Sequence, residues 1–270
     1  MRTGARPLVL APARIPAPKL DPGSTRRACT GLRSDIAIRS YACDPEARLT
    51  SRDSDAVTPD PLDFDARPRL RGVLHVWAFF ASLIALGVLV IERAPLPLPA
   101  LLFALSVSGL FATSALYHRV RWSPAWYPRI RRVDHAMIFV LIMGSYAPLF
   151  AAVEGRGLEA IFVTIYAVAS VGILMTLLWT TAPKWARAAV YLVVGWMCVI
   201  LTPDVFDALG ASGLAMLFVG GALYSVGAVI YALKRPDPLP GIFGYHEIFH
   251  ALVIAAVASH FVLVRFWIFP

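Results

Sequence analysis

Seven long apolar stretches, separated by short breaks that contain proline, glycine or charged residues, occupy the chain from about residue 73 onward. Each approaches the roughly 20 residues that a helix needs to cross the hydrocarbon core of a bilayer. They are apolar around their whole circumference, unlike the amphipathic helices of a soluble core, and they lack the alternation of a β-barrel. The pattern predicts an all-α integral membrane protein, a bundle of seven transmembrane helices at 73–91, 99–117, 133–152, 158–179, 185–201, 211–233 and 248–269.

Residues 1–65 follow a different pattern, rich in Pro, Arg and Asp and without an apolar run long enough to pack. Such a segment cannot bury enough surface to offset the entropy lost on ordering. A secretory signal does not fit, because Pro12 interrupts the short run 7–13. We therefore expect a disordered N-terminal tail over 1–65 and one transmembrane domain over 66–270.

Composition agrees with a membrane protein, since 58% of the residues are hydrophobic and the mean hydropathy is +0.67. The net charge of +8 could suggest a nucleic-acid partner. The positions of the basic residues in the predicted topology argue against that interpretation. With the N-terminus in the cytoplasm, the cytoplasmic loops beyond the tail hold 9 Lys and Arg residues, and the outer segments hold 3. This split predicts a cytoplasmic N-terminus and an outside C-terminus in the cell membrane. It also indicates lipid headgroups, and no nucleic acid, as partners; the oligomeric state stays open.

The stretch His246-Glu-Ile-Phe-His250 places two imidazoles four residues apart, on one face of a helix. It matches the H-E-x-x-H signature of zinc proteases. The apolar run 251–269 follows directly, so the pair is expected at the rim of a membrane. Glu247 projects about 100° from His246, and we therefore do not expect it to act as the protease base.

The predicted topology brings other polar residues to the same cytoplasmic rim. His118 ends the second helix and Asp134 opens the third. With His246 and His250, His118 completes three imidazoles, which together with a water make an open tetrahedral zinc site. Asp134 is a candidate to hold that water or take its proton. Ser114, one helical turn before His118, is a candidate donor to a substrate carbonyl or a developing oxyanion.

Each of these residues also has a purely structural interpretation. His118 fits an ordinary interfacial residue, Asp134 a helix cap or ion pair, and Ser114 a hydroxyl bonded to its own helix. His75 is expected at the membrane interface. His260 lies about 15 Å deeper than His250 at helical rise, which favours an interhelical hydrogen bond.

Taken together, these blocks resemble the hemolysin III family, the bacterial branch of the progestin and adipoQ receptor (PAQR) superfamily. The resemblance covers about residues 68–270 and implies seven helices with the N-terminus inside. It implies zinc held by three histidines, matching His118, His246 and His250, a water-holding aspartate at Asp134 and the serine at Ser114. The matching blocks are Ser114–His118, Asp134–Phe139, Gly144–Pro148 and His246–His250, continuing to His260-Phe261.

The resemblance leaves three activities open. Alkaline ceramidases in the wider superfamily imply a metal-dependent lipid amide or ester hydrolase, which we take as the first hypothesis. The family name implies a pore-forming cytolysin or channel, and the eukaryotic relatives imply a sensor or receptor of lipid state. An ion path usually shows more polar lining than these helices offer, so the pore ranks below the hydrolase.

Overall fold

The computed structural model describes residues 67–179 and 183–270. Within these ranges the regular structure is helical, apart from a single bridge between Leu239 and Phe243. The expected all-α class is thus confirmed there, and the predicted disordered tail over 1–65 lies outside the described residues. The helices are α1 (Val73–Glu92), α2 (Leu98–Arg119), α3 (Tyr127–Ala152), α4 (Glu159–Leu178), α5 (Lys184–Trp196), α6 (Thr202–Leu233) and α7 (Tyr245–Leu263), with a 3-10 turn at Met197–Leu201 and a π turn at Val264–Ile268.

Six helical stretches of the described chain are long and apolar enough to cross a membrane. Many of their large apolar side chains are exposed at the surface of the bundle. Among them, Trp77, Ile84, Ile91 and Leu178 each expose at least 70% of their surface. Soluble monomers rarely expose apolar patches of this extent, because water solvates them poorly. The chain is therefore a membrane protein, as its composition predicts.

The fifth of these stretches, Trp185–Leu233, is 49 residues long. A straight helix of that length would reach about 74 Å, more than twice a hydrocarbon core of about 30 Å. The 3-10 turn interrupts it, and Gly210 breaks the helical geometry with φ 69° and ψ −178°. Trp196 donates from Nε1 to Ser225 Oγ at 2.9 Å. The helix before these two interruptions therefore lies against the helix that follows Gly210. This stretch is a helical hairpin.

Three helices, α3, α6 and α7, begin several residues before the apolar stretches predicted for them. α6 begins at Thr202, nine residues before the predicted start at 211, because helical residues also precede the break at Gly210. α3 starts at Tyr127, six residues before the predicted start, with Pro128 in its first turn, where the missing amide hydrogen costs nothing. α7 starts at Tyr245, where Glu247 accepts a hydrogen bond from the backbone N–H of Gly244 at 2.8 Å. That cap secures the first turn of α7 and keeps His246 and His250 on one helix, as expected.

Helix α2 packs along α3, α6 packs along α7, and α1 contacts both α2 and α7. The starts of α1, α3 and α7 and the end of α2 lie together, and we call this end of the bundle the histidine end. Arg265 and Glu92 form an ion pair at the opposite end, with Nε and Oε2 2.5 Å apart. His118, Asp134, His246 and His250 thus share one end of the bundle, whereas His260 lies deeper along α7.

Candidate metal centre

Three of the predicted residues, His118, His246 and His250, converge at the histidine end. Their possible ligand atoms all lie within 4.8 Å of one another. The Nε2 atoms of His118 and His246 are 3.1 Å apart, although 128 positions separate the two residues in sequence. His118 and His250 are buried, and His246 is partly buried.

The donor set fits a single metal ion. Two imidazole nitrogens at 2.0–2.1 Å from a common tetrahedral ion stand roughly 3.3 Å apart, close to the 3.1 Å between His118 and His246. The three pairs of ring centroids are 4.4, 4.8 and 5.2 Å apart, with planes inclined by 56–81°. Rings that point at one centre from different directions have this arrangement, and ordinary edge-to-face packing of aromatic rings has it too. The distances between the ligand atoms therefore carry the assignment. The group could hold a metal ion, and its chemistry suits zinc, copper, iron or nickel.

Asp134 and Ser114 lie beside the histidines and outside the ligand group itself. The Ser114 hydroxyl faces the Asp134 carboxyl group. Both residues line the same cavity as His246 and His250. Among the described residues, Asp134 is not one of the side chains whose ligand atoms come within 4.8 Å of one another.

His75 is the residue of this region that the sequence interpretation misjudged. We expected it at the membrane interface, yet its side chain is 3% exposed. Its ring stacks on His250 with centroids 3.8 Å apart and planes inclined by 8°, and it lines the cavity. The only signal in the sequence was its position, two residues inside the first apolar stretch and so deeper than a rim residue.

Glu247, the acidic residue of the H-E-x-x-H stretch, has a structural role. It is 1% exposed, accepts the hydrogen bond from Gly244 N, and forms an ion pair with Arg71, with Nε and Oε1 2.6 Å apart. It is absent from the cavity lining. A carboxylate held in this way is occupied as a helix cap and a charge partner, in line with the expectation that it is not a protease base.

The deeper polar residues are held by the helices around them. His260 Nε2 lies 3.3 Å from the carbonyl oxygen of Leu217 on α6, which confirms the interhelical hydrogen bond expected for it. Ser145 donates to Leu141 O of its own helix at 2.8 Å, and His135 Nδ1 lies 2.7 Å from Arg131 O. His135 shares the cavity with the metal group without belonging to it.

A cavity of about 180 Å³ extends from this centre into the bundle. It follows α3 from Asp134 to Leu149 and α7 from His246 to Leu263. Beyond the polar residues already described, its wall is largely aliphatic and aromatic, with contributions from α5 and α6. The centre therefore opens on one side into an elongated apolar space, while His118 lies away from that opening.

Known proteins similar to this chain include two hemolysin-3 proteins and an adiponectin receptor protein. The chain is 30% identical to the hemolysin-3 homolog of Bacillus subtilis over 167 residues, covering 62% of this chain and 75% of the relative. It is 26% identical to hemolysin-3 of Bacillus cereus over 208 residues, covering 73% and 90%. It is also 29% identical to an adiponectin receptor protein of Drosophila melanogaster over 147 residues, or 48% of this chain and 33% of that protein.

The family profile described as "Haemolysin-III related" matches residues 66–261, which is more than half of the chain. The matched range contains all three histidines of the candidate centre as well as Ser114 and Asp134. The adiponectin receptor relative ties the same chain to the wider PAQR superfamily. This chain belongs to the haemolysin III family.

Proposed function

We propose that this protein is a zinc-dependent hydrolase of membrane lipids, which cleaves an amide or ester bond at the histidine end of the bundle. One observation carries the proposal: His246 and His250, two of three histidines that together could hold a metal, line a cavity with a carboxylate and a hydroxyl, and the rest of that cavity is largely apolar. A lipid has the same division, with a hydrolysable polar bond next to a long hydrocarbon chain. Polar groups at one place in an apolar pocket fix orientation and give specificity.

The length of the cavity supports a chain-like ligand. The lining residues of α7 run from His246 to Leu263, which at 1.5 Å per residue is about 26 Å. Those of α3 run from Asp134 to Leu149, or about 22 Å. An extended acyl chain of a membrane lipid has comparable length, and burial of each CH₂ contributes about 0.8 kcal/mol.

The residues at the head of the cavity divide the chemical work. His118, His246 and His250 would hold the ion, which when bound supplies Lewis-acid polarisation and acidifies a water molecule. Asp134 is placed to orient a water and to accept its proton. Ser114 orients the Asp134 carboxyl group and is close enough to the same space to donate to a substrate carbonyl.

The membrane arrangement that goes with this function has seven spans, the N-terminus in the cytoplasm and the C-terminus outside, in the cell membrane. The helical hairpin Trp185–Leu233 contributes two of the seven spans by its length. The arginines near the histidine end, among them Arg119, Arg131 and Arg132, put that end on the cytoplasmic side by the positive-inside rule.

Two other functions keep support from particular observations. Two relatives carry the name hemolysin-3, which favours a cytolysin, but an ion path usually has more polar lining than the largely apolar wall of this cavity. The third relative is named a receptor, which favours a sensor with a structural metal. In a sensor the apolar cavity would bind a lipid without cleaving it.

Lipid turnover by the purified full chain tests the proposal. The protein, reconstituted in nanodiscs and loaded with zinc, is offered ceramide-like amides and phospholipids separately, and the released fatty acid is measured by mass spectrometry. Zinc-dependent release above that of an equally treated His118→Ala protein supports the hydrolase. Metal binding without turnover of any lipid class would move the assignment to the sensor.

A further inference from the structure

We propose that the segment Arg71–His75, at the entry to α1, positions all three histidines of the metal centre; this rests on the metal centre of the proposed function. The histidines themselves come from α2 and α7, so α1 contributes no ligand. The segment Arg71–His75 nevertheless contacts each of the three histidines, or the residue next to it, through a different residue of its own.

The contact to His118 is made by the backbone of Gly72. Gly72 has φ 78°, a conformation that side-chain-bearing residues rarely adopt, and it precedes the first turn of α1. A Cβ atom at this position would stand 2.5 Å from Cβ of His118. The absence of a side chain therefore lets the α1 entry lie directly against Cβ of His118 and limits where the His118 ring can sit.

The contact to the His246 region is made by Arg71. Its Nε lies 2.6 Å from Oε1 of Glu247, which is 1% exposed. Glu247 follows His246 directly, and its second oxygen caps the first turn of α7. The preceding backbone is fixed to the same loop, since Arg69 N donates to Gly241 O at 3.0 Å and Leu70 N donates to Ile242 O at 3.2 Å. Arg71 thus holds the turn of α7 that presents His246.

The contact to His250 is the stacked ring of His75. An ion bound in the plane of one ring of a face-to-face pair lies well outside the plane of the other, so His75 cannot bind the same ion as His250. Among the described residues, no hydrogen bond of good geometry reaches either nitrogen of His75, whose ring also lies near the backbone of His250. The His75 ring therefore provides its face, which fixes the His250 imidazole. The ring of Phe111 packs in turn against the His75 ring, with centroids 5.0 Å apart.

Outer partners that orient metal ligands typically change metal affinity by 10–100-fold when they are removed. Three single substitutions at the α1 entry, Gly72→Ala, Arg71→Met and His75→Ala, should each weaken zinc binding by at least tenfold. His75→Phe keeps a flat ring at the same place and should stay within threefold of the parent protein.

The chain offers a matched control for two of these changes. Gly155 also has positive φ, at 81°, but a Cβ there would meet nothing within 4 Å, so Gly155→Ala carries the backbone strain alone. Arg265 forms an ion pair with Glu92 at the opposite end of the bundle, so Arg265→Met removes a similar pair far from the centre. Both controls should bind zinc within twofold of the parent.

The experiment measures zinc affinity of the full-length, detergent-purified proteins by competition with a chelating dye. It also measures the rise in unfolding temperature on addition of zinc and the visible spectrum after loading with Co²⁺. A positioning role lowers the affinity and the zinc-induced rise and alters the Co²⁺ spectrum, whereas a purely structural role lowers only the unfolding temperature of the metal-free protein.

Zinc binding at parental strength by Gly72→Ala, Arg71→Met and His75→Ala would overturn the positioning role and leave the metal centre standing. His75→Phe as weak as His75→Ala would overturn the role given to the ring face. A parent protein that binds no zinc would overturn the metal centre together with its support, which separates the two failures.

Discussion

Ser114 of α2 and Asp134 of α3 face each other beside the three histidines, and both line the cavity. The pairing joins α2 and α3 one helical turn before His118. A carboxylate that already has a hydroxyl partner is restricted in direction. In the proposed hydrolase, this restriction would prepare Asp134 to act on one particular water.

Substitution of Asp134 separates catalysis from metal binding. Asp134→Asn keeps the shape of the side chain and its capacity to hydrogen-bond but cannot accept a proton. We expect zinc content to remain near that of the parent, while lipid turnover falls by about 10²–10⁴-fold, the usual cost of a lost general base. Turnover equal to that of the parent would reject the base role, and loss of zinc would make Asp134 a direct ligand.

Zinc stoichiometry checks the ligand set. The purified protein should hold about one zinc per chain, measured by elemental analysis, and His250→Ala should lose most of it, because two imidazoles hold a tetrahedral ion weakly. His135→Ala is the matched control, since His135 lines the same cavity outside the ligand group. Ser114→Ala should also retain its zinc. Equal zinc in the parent and the His250 variant would contradict the centre.

The orientation of the bundle can be read from the two ends of the chain. We expect a reporter that works only outside the cytoplasm to be active when fused after Pro270 and silent when fused before α1. The physical reason is the concentration of Lys and Arg in the loops next to the histidine end. A C-terminal reporter active only in the cytoplasm would give an even number of spans, or an inverted bundle.

The width of the cavity should decide which acyl chains are accepted. Ser145 lines the cavity eleven residues beyond Asp134, and its hydroxyl bonds only to its own helix. Ser145→Leu should lower turnover of 18-carbon amides by about tenfold, equivalent to about 1.4 kcal/mol, and leave 6-carbon amides unchanged. Ser170 makes the same bond on an exposed face of α4, so Ser170→Leu should change neither rate. Equal losses for long and short chains would speak against an acyl-chain cavity.

Packing between α3 and α4 gives a prediction about stability alone. A Cβ at Gly172 would overlap the ring of Phe139, whereas a Cβ at Gly87 on α1 would meet nothing within 4 Å. Gly172→Ala should reduce the free energy of unfolding by about 1–3 kcal/mol through overpacking. Gly87→Ala should be neutral or should stabilise the helix by up to about 1 kcal/mol. Thermal unfolding in detergent compares the two, and equal melting temperatures would contradict the close contact.

The sequence predicts the helices and the three convergent histidines well, because apolar length and helical spacing are local properties. His118 and His246 could be placed in one layer from the parity of the helices alone. The sequence also separates the fifth and sixth predicted helices at Pro203 and Gly210, and the helical geometry is interrupted at Gly210, with φ 69° and ψ −178°. It does not predict that residues 202–209 are helical, because a proline commonly marks a break, whereas Pro203 lies in the first turn of α6, where proline is tolerated.

His75 shows why the remainder was out of reach. Its burial depends on α1 lying against both α2 and α7, and helix neighbours are set by tertiary packing that the sequence pattern does not contain. The role of Glu247 was also beyond prediction from the sequence. Its motif suggests a protease base, but its ion-pair partner Arg71 lies 176 positions away in the chain. The cavity likewise results from the spaces left between five or more helices.

The large sequence separation of the residues at the histidine end has a consequence for biogenesis. During synthesis and insertion, His118 reaches the bilayer long before α7, which carries His246 and His250. A nascent chain that ends before α7 has one of the three imidazoles and has lost the partner of Arg71. Contacts between the two ends of a chain form last, because the intervening loop must close first. The proposed metal centre would therefore be incomplete in the ribosome-bound intermediate and in a truncated product, and complete only once the final helix is in the membrane.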